Sequence, residues 1–181
     1  MNPETRTYDK HWQPWLQREL IARGIPTERP MMPNPWAPNY EAYAKELEKY
    51  SIDEGTTLVG HSCGSAFLVR WLGDTKQNID KLILVAPWKI PEQDSEAMRT
   101  FYLYPIDESI SSRAGQIVIF TSNNEEEDGK TSVKIFHEAL GGELIELNGR
   151  GHYCFNDMGI EEFPEVLEVI VGPNSASPTK L

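Results

Sequence analysis

The chain has 181 residues, of which 39% are hydrophobic, and a formal net charge of −11. This length and composition are those of a globular protein with one full core, and the acidity without any cluster of Lys and Arg argues against a nucleic-acid partner. No apolar run approaches the roughly 20 residues that cross a bilayer, and no signal-peptide core begins the sequence, so we expect a cytoplasmic protein with no membrane partner.

Segments with helical and strand periodicity alternate along the chain. The first helix is marked by Trp12, Trp15, Leu16 and Leu20 and ends at Gly24. The second is marked by Tyr40, Tyr43, Ala44 and Leu47, with Asn39 as its N-cap. The later predicted elements are a strand at 56–60, a helix from Ser65 to about Leu72, a strand at 81–87, a helical excursion within 91–114, a strand at 117–122, a helix from about Thr131 to Leu140, a strand at 143–147 and a terminal helix with Phe163, Val166, Leu167 and Ile170 on one face.

Strands that alternate with helices predict an α/β fold, a three-layer sandwich with a mostly parallel sheet covered on both faces. The unbroken apolar run at 81–87 is typical of such a buried strand. No repeat or internal linker interrupts the pattern, so we expect a single domain over residues 1–172. Residues 173–181 have the Gly, Pro and Ser content of a disordered tail.

Gly60, Ser62 and Gly64 fill the pattern GxSxG between a predicted strand and a predicted helix. In a nucleophile elbow the strand ends directly at the serine and the helix begins directly after it, which exposes the hydroxyl at the top of the sheet. The flanking glycines avoid clashes with the neighbouring strand and helix. The backbone N–H of Cys63 is then placed to stabilise an oxyanion. This context predicts a catalytic serine at position 62, and a strand-turn-helix without chemistry is the alternative.

A serine hydroxyl needs a base to become a good nucleophile, and the chain offers four histidines. His11 precedes the elbow and His137 lies within a predicted helix, so packing or surface roles are expected for both. His61 adjoins Ser62 on the strand and points to the opposite face. His152 stands in GRGHY just after the last predicted strand, at the end of the sheet where Ser62 emerges, and is the expected base.

The carboxylate that orients the base is expected on the loop after the strand before last. That loop reads SNNEEEDG, and most of its acids are expected to be solvated whatever the function. Glu125, the first acid after the strand, is the preferred candidate, and Asp128 is the fallback.

These stretches, together with HWQPWL, MPNPWAPN, LILVAPW, IVIFTSNNE and GRGHYCF, resemble the small α/β hydrolases that include the retinoblastoma-binding serine hydrolase of animals and the YdeN-type proteins of bacteria. The likeness covers most of residues 11–170. It implies an α/β-hydrolase fold in which Ser62 is the nucleophile and His152 the base, with Tyr153 where the family usually has Phe. The family's acid is usually an aspartate in a stretch resembling SxDDP, and laying that stretch on SNNE puts Glu125 at its position.

The resemblance also implies a central strand and a turn such as HGWGG before HWQPWL, which supplies the second oxyanion N–H. Only MNPETRTYDK precedes His11, and no apolar strand fits in it. We therefore expect a chain that lacks the first, central strand, unless its true start lies upstream. Losing one oxyanion donor costs about 100- to 1000-fold in rate, and an unpaired strand edge invites association. Weak activity or aggregation is the expected result.

The pattern as a whole predicts a serine hydrolase of carboxylesterase type that cleaves a small ester, amide or thioester through an acyl-enzyme, without a cofactor. His61 and Trp88 are candidate pocket residues. The alternative, motivated by the missing front and the substituted acid, is a hydrolase-shaped protein that binds a protein partner. A metal site from His61, Cys63, His152 and Cys154 is disfavoured because their spacing matches no common zinc pattern. Both cysteines are expected to be free thiols.

Overall fold

The computed structural model describes residues 11–91 and 93–172. The chain divides into two compact units, one within Met1–Arg29 and Cys154–Leu181 and the other formed by Pro30–Tyr153. The single domain expected over residues 1–172 stays a prediction. Residues 1–10, where the sequence predicts no strand, and the tail predicted for 173–181 lie outside the described residues.

A four-stranded parallel sheet runs through the Pro30–Tyr153 unit. Its strands, in both chain and spatial order, are β1 (Thr57–His61), β2 (Ile79–Val85), β3 (Ala114–Ser122) and β4 (Glu143–Leu147). The register places Val59 opposite Ile83, Ile83 opposite Val118, and Val118 opposite Glu143. Because all four strands are parallel, their carboxyl ends lie along one edge of the sheet. Within the described residues, β1 pairs with β2 alone.

Helices occupy the connections between these strands and the segments before and after them. In chain order they are α1 (Trp12–Ala22), α2 (Tyr40–Leu47), α3 (Cys63–Thr75), α4 (Glu96–Tyr102), α5 (Ile110–Arg113), α6 (Glu127–Leu140), α7 (Phe155–Met158) and α8 (Pro164–Val171). Helix α3 packs against β1, and α6 packs against β3. Among the helices of residues 11–91 and 93–172, none combines the length and the apolar character needed to cross a bilayer.

Both faces of the two middle strands are buried, as the apolar runs predict. Side chains on one face join the hydrophobic cluster that includes residues of α3 and α6: Leu82, Leu84, Ile117 and Ile119. Side chains on the other face have no exposed surface: Ile83, Val85, Val118 and Phe120. Burial on both faces makes the sheet a rigid platform for the residues at its carboxyl edge.

In the other unit, α1 and α8 are in contact through their apolar faces. The rings of Trp12 and Phe163 meet edge to face with centroids 5.4 Å apart, and both side chains are buried. An edge-to-face contact between two such rings contributes about 1 kcal/mol beyond the area that it buries. The apolar spacing that predicted these two helices therefore corresponds to their buried faces.

The structure confirms the four predicted strands and the main helices, with shifts at their ends. The cap at Asn39 is confirmed, since its Oδ1 accepts a hydrogen bond from Ala42 N at 2.9 Å. Helix α3 begins at Cys63 rather than Ser65, and α6 begins at Glu127 rather than near Thr131. Acidic residues favour a helix N-terminus, so part of the loop predicted from its charges is the first turn of α6. The four-residue helix α7 was not predicted.

Candidate active site

Ser62 occupies the sharp turn between strand β1 and helix α3. The strand ends at His61 and the helix begins at Cys63, so Ser62 alone makes the connection. Its backbone dihedrals are φ 53° and ψ −121°, a conformation that side-chain-bearing residues rarely adopt. The turn is held in place because Ser62 N donates to Val85 O, at the end of β2, at 3.0 Å. This is the strand-turn-helix geometry of a nucleophile elbow.

Gly60 is required by the close approach of β1 and α3. A Cβ at this position would lie 2.8 Å from both Cα and N of Ser65, closer than real Cβ contacts allow. This agrees with the steric reason expected for the first glycine of GxSxG. For Gly64, a Cβ built there would meet no described atom within 4 Å apart from its chain neighbours and the backbone of its own helix. The same steric reason therefore finds no support at Gly64 within that part of the chain.

A chain of hydrogen bonds joins Ser62, His152 and Glu125. Nε2 of His152 lies 2.8 Å from Ser62 Oγ, and Nδ1 of His152 lies 3.0 Å from Oε2 of Glu125. An ionised carboxylate only accepts hydrogen bonds, so Nδ1 carries the ring proton and Nε2 is left to accept from the serine hydroxyl. The structure thus brings together all three residues to which the sequence assigned the chemistry.

The Glu125 side chain has no exposed surface, whereas the side chain of His152 is 24% exposed. The second carboxylate oxygen, Oε1, accepts a hydrogen bond from Glu126 N at 3.0 Å. Both oxygens of the buried carboxyl group therefore have partners, which offsets the cost of burying it. The fallback acid, Asp128, lies exposed on α6, and it is Glu125 that contacts the imidazole of His152.

Three side chains just before Glu125 bind successive backbone N–H groups just before His152. Asn123 Oδ1 accepts from Gly149 N at 2.9 Å, Ser122 Oγ from Arg150 N at 2.9 Å, and Asn124 Oδ1 from Gly151 N at 2.9 Å. The stretch SNNE is therefore one recognition surface for the loop GRGH. Only the carboxylates of this stretch were predicted to have a role, although Ser and Asn side chains often bind loop backbone.

His61 and Trp88, the two candidate pocket residues, both contact His152. Nε2 of His61 lies 2.8 Å from the backbone oxygen of His152. The ring of Trp88 meets the imidazole of His152 edge to face, with centroids 5.2 Å apart, and its indole N–H donates to Ile90 O at 2.6 Å. His61 therefore contacts the backbone of the histidine, and Trp88 packs against the imidazole ring.

Backbone strain is concentrated at this edge of the sheet. Positive φ values without a glycine occur in the described residues at Asn34, Ser62, Lys76, Ala86 and Tyr153. Three of the five follow the carboxyl ends of β1, β2 and β4: Ser62, Ala86 and Tyr153. Each such residue costs of the order of 1 kcal/mol, and strain of this kind persists only where the surrounding structure imposes it. The grouping is typical of a functional site.

Cys63 is the first residue of α3, a helix of 13 residues. The first four N–H groups of a helix are not used by its own hydrogen-bond ladder, and the helix dipole places partial positive charge there. When Ser62 Oγ attacks a carbonyl carbon, the negative charge that forms on the carbonyl oxygen would meet this positive end. The arrangement can thus remove a proton from Ser62 and stabilise an oxyanion beside it.

No disulfide involves Cys63 or Cys154, as expected. Within residues 11–91 and 93–172, no three His, Cys, Asp or Glu side chains are grouped in a way that could hold a metal ion.

Comparison with solved structures gives the class of the fold. The ydeN gene product of Bacillus subtilis superposes with a TM-score of 0.81 at 25% identity, over 91% of each chain. An esterase domain from Rhodothermus marinus has a TM-score of 0.60 at 14% identity, over 86% of this chain and 76% of that one. A bromoperoxidase from Bacillus anthracis has a TM-score of 0.60 at 15% identity, over 91% of this chain and 88% of that one. The fold is that of the α/β hydrolases.

Sequence comparison gives the family within this fold class. YdeN of Bacillus subtilis (strain 168), named as a hydrolase, is 27% identical over 169 residues, which cover 88% of this chain and 86% of YdeN. The sequence model of the serine hydrolase family matches residues 5–171. The chain belongs to the serine hydrolase family. The family and the fold class that the motifs implied are therefore confirmed.

Proposed function

We propose that this hydrolase cleaves a small ester, amide or thioester through an acyl-enzyme, with Ser62 as nucleophile, His152 as general base and Glu125 as the acid that orients it. The observation that carries the proposal is the continuous hydrogen-bond chain from Ser62 Oγ through His152 to Glu125, with steps of 2.8 and 3.0 Å. This is the geometry by which a serine hydroxyl becomes a nucleophile at neutral pH.

In the first half of the proposed reaction, Ser62 Oγ attacks the substrate's carbonyl carbon while its proton moves to Nε2 of His152. Glu125 stabilises the imidazolium through Nδ1, and the N–H of Cys63 stabilises the oxyanion. His152 then gives the proton to the departing alcohol, amine or thiol. In the second half, water loses a proton to His152 and attacks the acyl group, which releases the acid and restores Ser62.

A small substrate is favoured by the surroundings of the imidazole. Trp88 is 7% exposed and packs edge-on against His152, so this side of the histidine is already occupied by protein. A cytoplasmic location belongs to the same proposal, and cell fractionation tests it.

Labelling with a fluorophosphonate probe tests the proposed function. Wild-type protein is expected to be labelled, and Ser62→Ala is expected to abolish the label. Ser65→Ala is the matched control, because this neighbouring serine is fully buried and its hydroxyl has no hydrogen-bond partner among residues 11–91 and 93–172. It should be labelled like wild type. A folded wild-type protein without label would contradict the proposal and favour the binding protein, and a label that survives Ser62→Ala would assign the nucleophile elsewhere.

A further inference from the structure

The residue after the candidate base is held in an unusual way. Tyr153 has no exposed surface, and its φ of 58° lies in the left-handed region. Its hydroxyl donates a hydrogen bond to Thr121 O at 2.6 Å, and its backbone N–H donates to Arg150 O at 2.9 Å. A tyrosine in this backbone conformation costs about 1 kcal/mol, so the ring's fixed position must compensate for it.

The acceptor of this hydrogen bond belongs to the strand that carries the acid. Thr121 is the penultimate residue of β3, and Glu125 follows four positions later in the same chain segment. The hydroxyl of Tyr153 therefore ties the residue next to His152 to the strand that leads to Glu125. The contacts of Ser122, Asn123 and Asn124 bind the loop only before His152.

We propose that Tyr153 is a positioning residue: its hydroxyl fixes the loop on the far side of His152, so that Nδ1 stays at Glu125 and Nε2 stays at Ser62. The inference rests on the proposed function, because it concerns the same proton transfer. The left-handed turn at Tyr153 reverses the chain immediately after His152. This lets the imidazole, 24% exposed, face the serine while the next ring is fully buried. Without the hydroxyl, the ring could slide along β3 and the imidazole would move with it.

The test compares two Tyr→Phe variants with p-nitrophenyl acetate as substrate. Tyr153→Phe removes only the oxygen that binds Thr121 O. Tyr104→Phe removes a partly buried hydroxyl of the same chemistry, which donates to Ala66 O rather than to the strand that leads to Glu125. Both are expected to lower the melting temperature similarly. Only Tyr153→Phe should lower kcat/KM, by about 5- to 10-fold, which corresponds to the loss of one hydrogen bond that positions His152.

A double-mutant cycle separates positioning from a merely structural role. If Tyr153 acts through the contact between His152 and Glu125, its effect requires Glu125. In a Glu125→Gln background, Tyr153→Phe should then change kcat/KM less than twofold. An equal loss in both backgrounds, or equal kcat/KM for Tyr153→Phe and Tyr104→Phe, would overturn this inference alone. A folded wild type whose turnover is unaffected by Ser62→Ala would overturn both the inference and the proposed function.

Discussion

The carboxyl group of Glu125 packs directly against the backbone of Gly129, one turn into helix α6. A Cβ on Gly129 would lie 2.6 Å from Cγ and 2.7 Å from Cδ of Glu125. The glycine therefore provides the space that the Glu125 side chain needs. This contact shows how a glutamate can reach Nδ1 of His152 while remaining fully buried.

Gly129→Ala is expected to reduce activity by more than about tenfold while the protein stays folded. Alanine stabilises a helix by about 1 kcal/mol relative to glycine, so the helix itself gains. The added Cβ pushes Glu125 away from His152 and breaks the orienting hydrogen bond. Measurement of kcat/KM together with the melting temperature checks this.

The control for this substitution is Gly73→Ala in helix α3, where a Cβ would lie 3.3 Å from Cβ of Asp107 and no candidate catalytic atom is near. This variant should keep the kcat/KM of wild type. If Gly129→Ala also kept it, Glu125 would not depend on this contact.

Glu125→Gln is expected to lower kcat/KM by about 100- to 10,000-fold, because an amide can donate to Nδ1 and so favour the wrong tautomer of His152. Asp128→Asn should leave kcat/KM unchanged, since Asp128 is exposed on α6. If, under identical conditions, Asp128→Asn lowered kcat/KM strongly and Glu125→Gln did not, Asp128 would be the functional acid.

Asn124→Ala is expected to loosen the loop before His152. Its Oδ1 accepts hydrogen bonds from Gly151 N at 2.9 Å and Ser122 Oγ at 2.6 Å, and loss of the acceptor should cost about 1 kcal/mol of stability and about tenfold in kcat/KM. Asn124→Asp keeps the accepting oxygen and should recover most of both. Denaturant unfolding and kinetics on the two variants decide the point: equal behaviour of the Ala and Asp variants would remove Asn124 from the recognition surface.

Because of Lys89, we expect the free energy of unfolding to rise at alkaline pH. Its ammonium group is buried against the ring of Tyr104, 3.5 Å from the centroid, and donates to Tyr104 O at 2.9 Å and to Tyr102 O. Burial, aided by the positive charge of Arg70, lowers the pKa of Lys89 from 10.5 to about 8. At pH values between about 8 and 10.5, Lys89 is protonated in most unfolded chains and deprotonated in most folded chains. The unfolded chain therefore binds more protons, and the free energy of unfolding rises with pH.

This effect is measured as the difference in unfolding free energy between wild type and Lys89→Met. The difference should shift in favour of wild type by about 1 kcal/mol per pH unit between pH 8 and pH 10. A difference that does not change over this range would contradict the lowered pKa.

The sequence was sufficient to predict the parts of the fold that depend on local pattern. Apolar runs predicted the four strands, and the strand-turn-helix context of GxSxG predicted the backbone at Ser62. Contacts between distant segments could not be predicted from the sequence. Tyr153 to Thr121 and Asn124 to Gly151 join residues whose spacing carries no periodic signal. The choice between Glu125 and Asp128 likewise depended on where α6 begins. A cluster of acidic residues is equally compatible with a loop and with the first turn of a helix.

The central claim is that Ser62 carries the acyl group during turnover. The most direct measurement is mass spectrometry of the protein quenched in acid during its reaction with p-nitrophenyl acetate, followed by peptide mapping. We expect one acetyl group on the peptide that contains Ser62, absent in Ser62→Ala and strongly reduced in His152→Ala. An acetyl group on Cys63, or turnover without any acetyl group on Ser62, would contradict it.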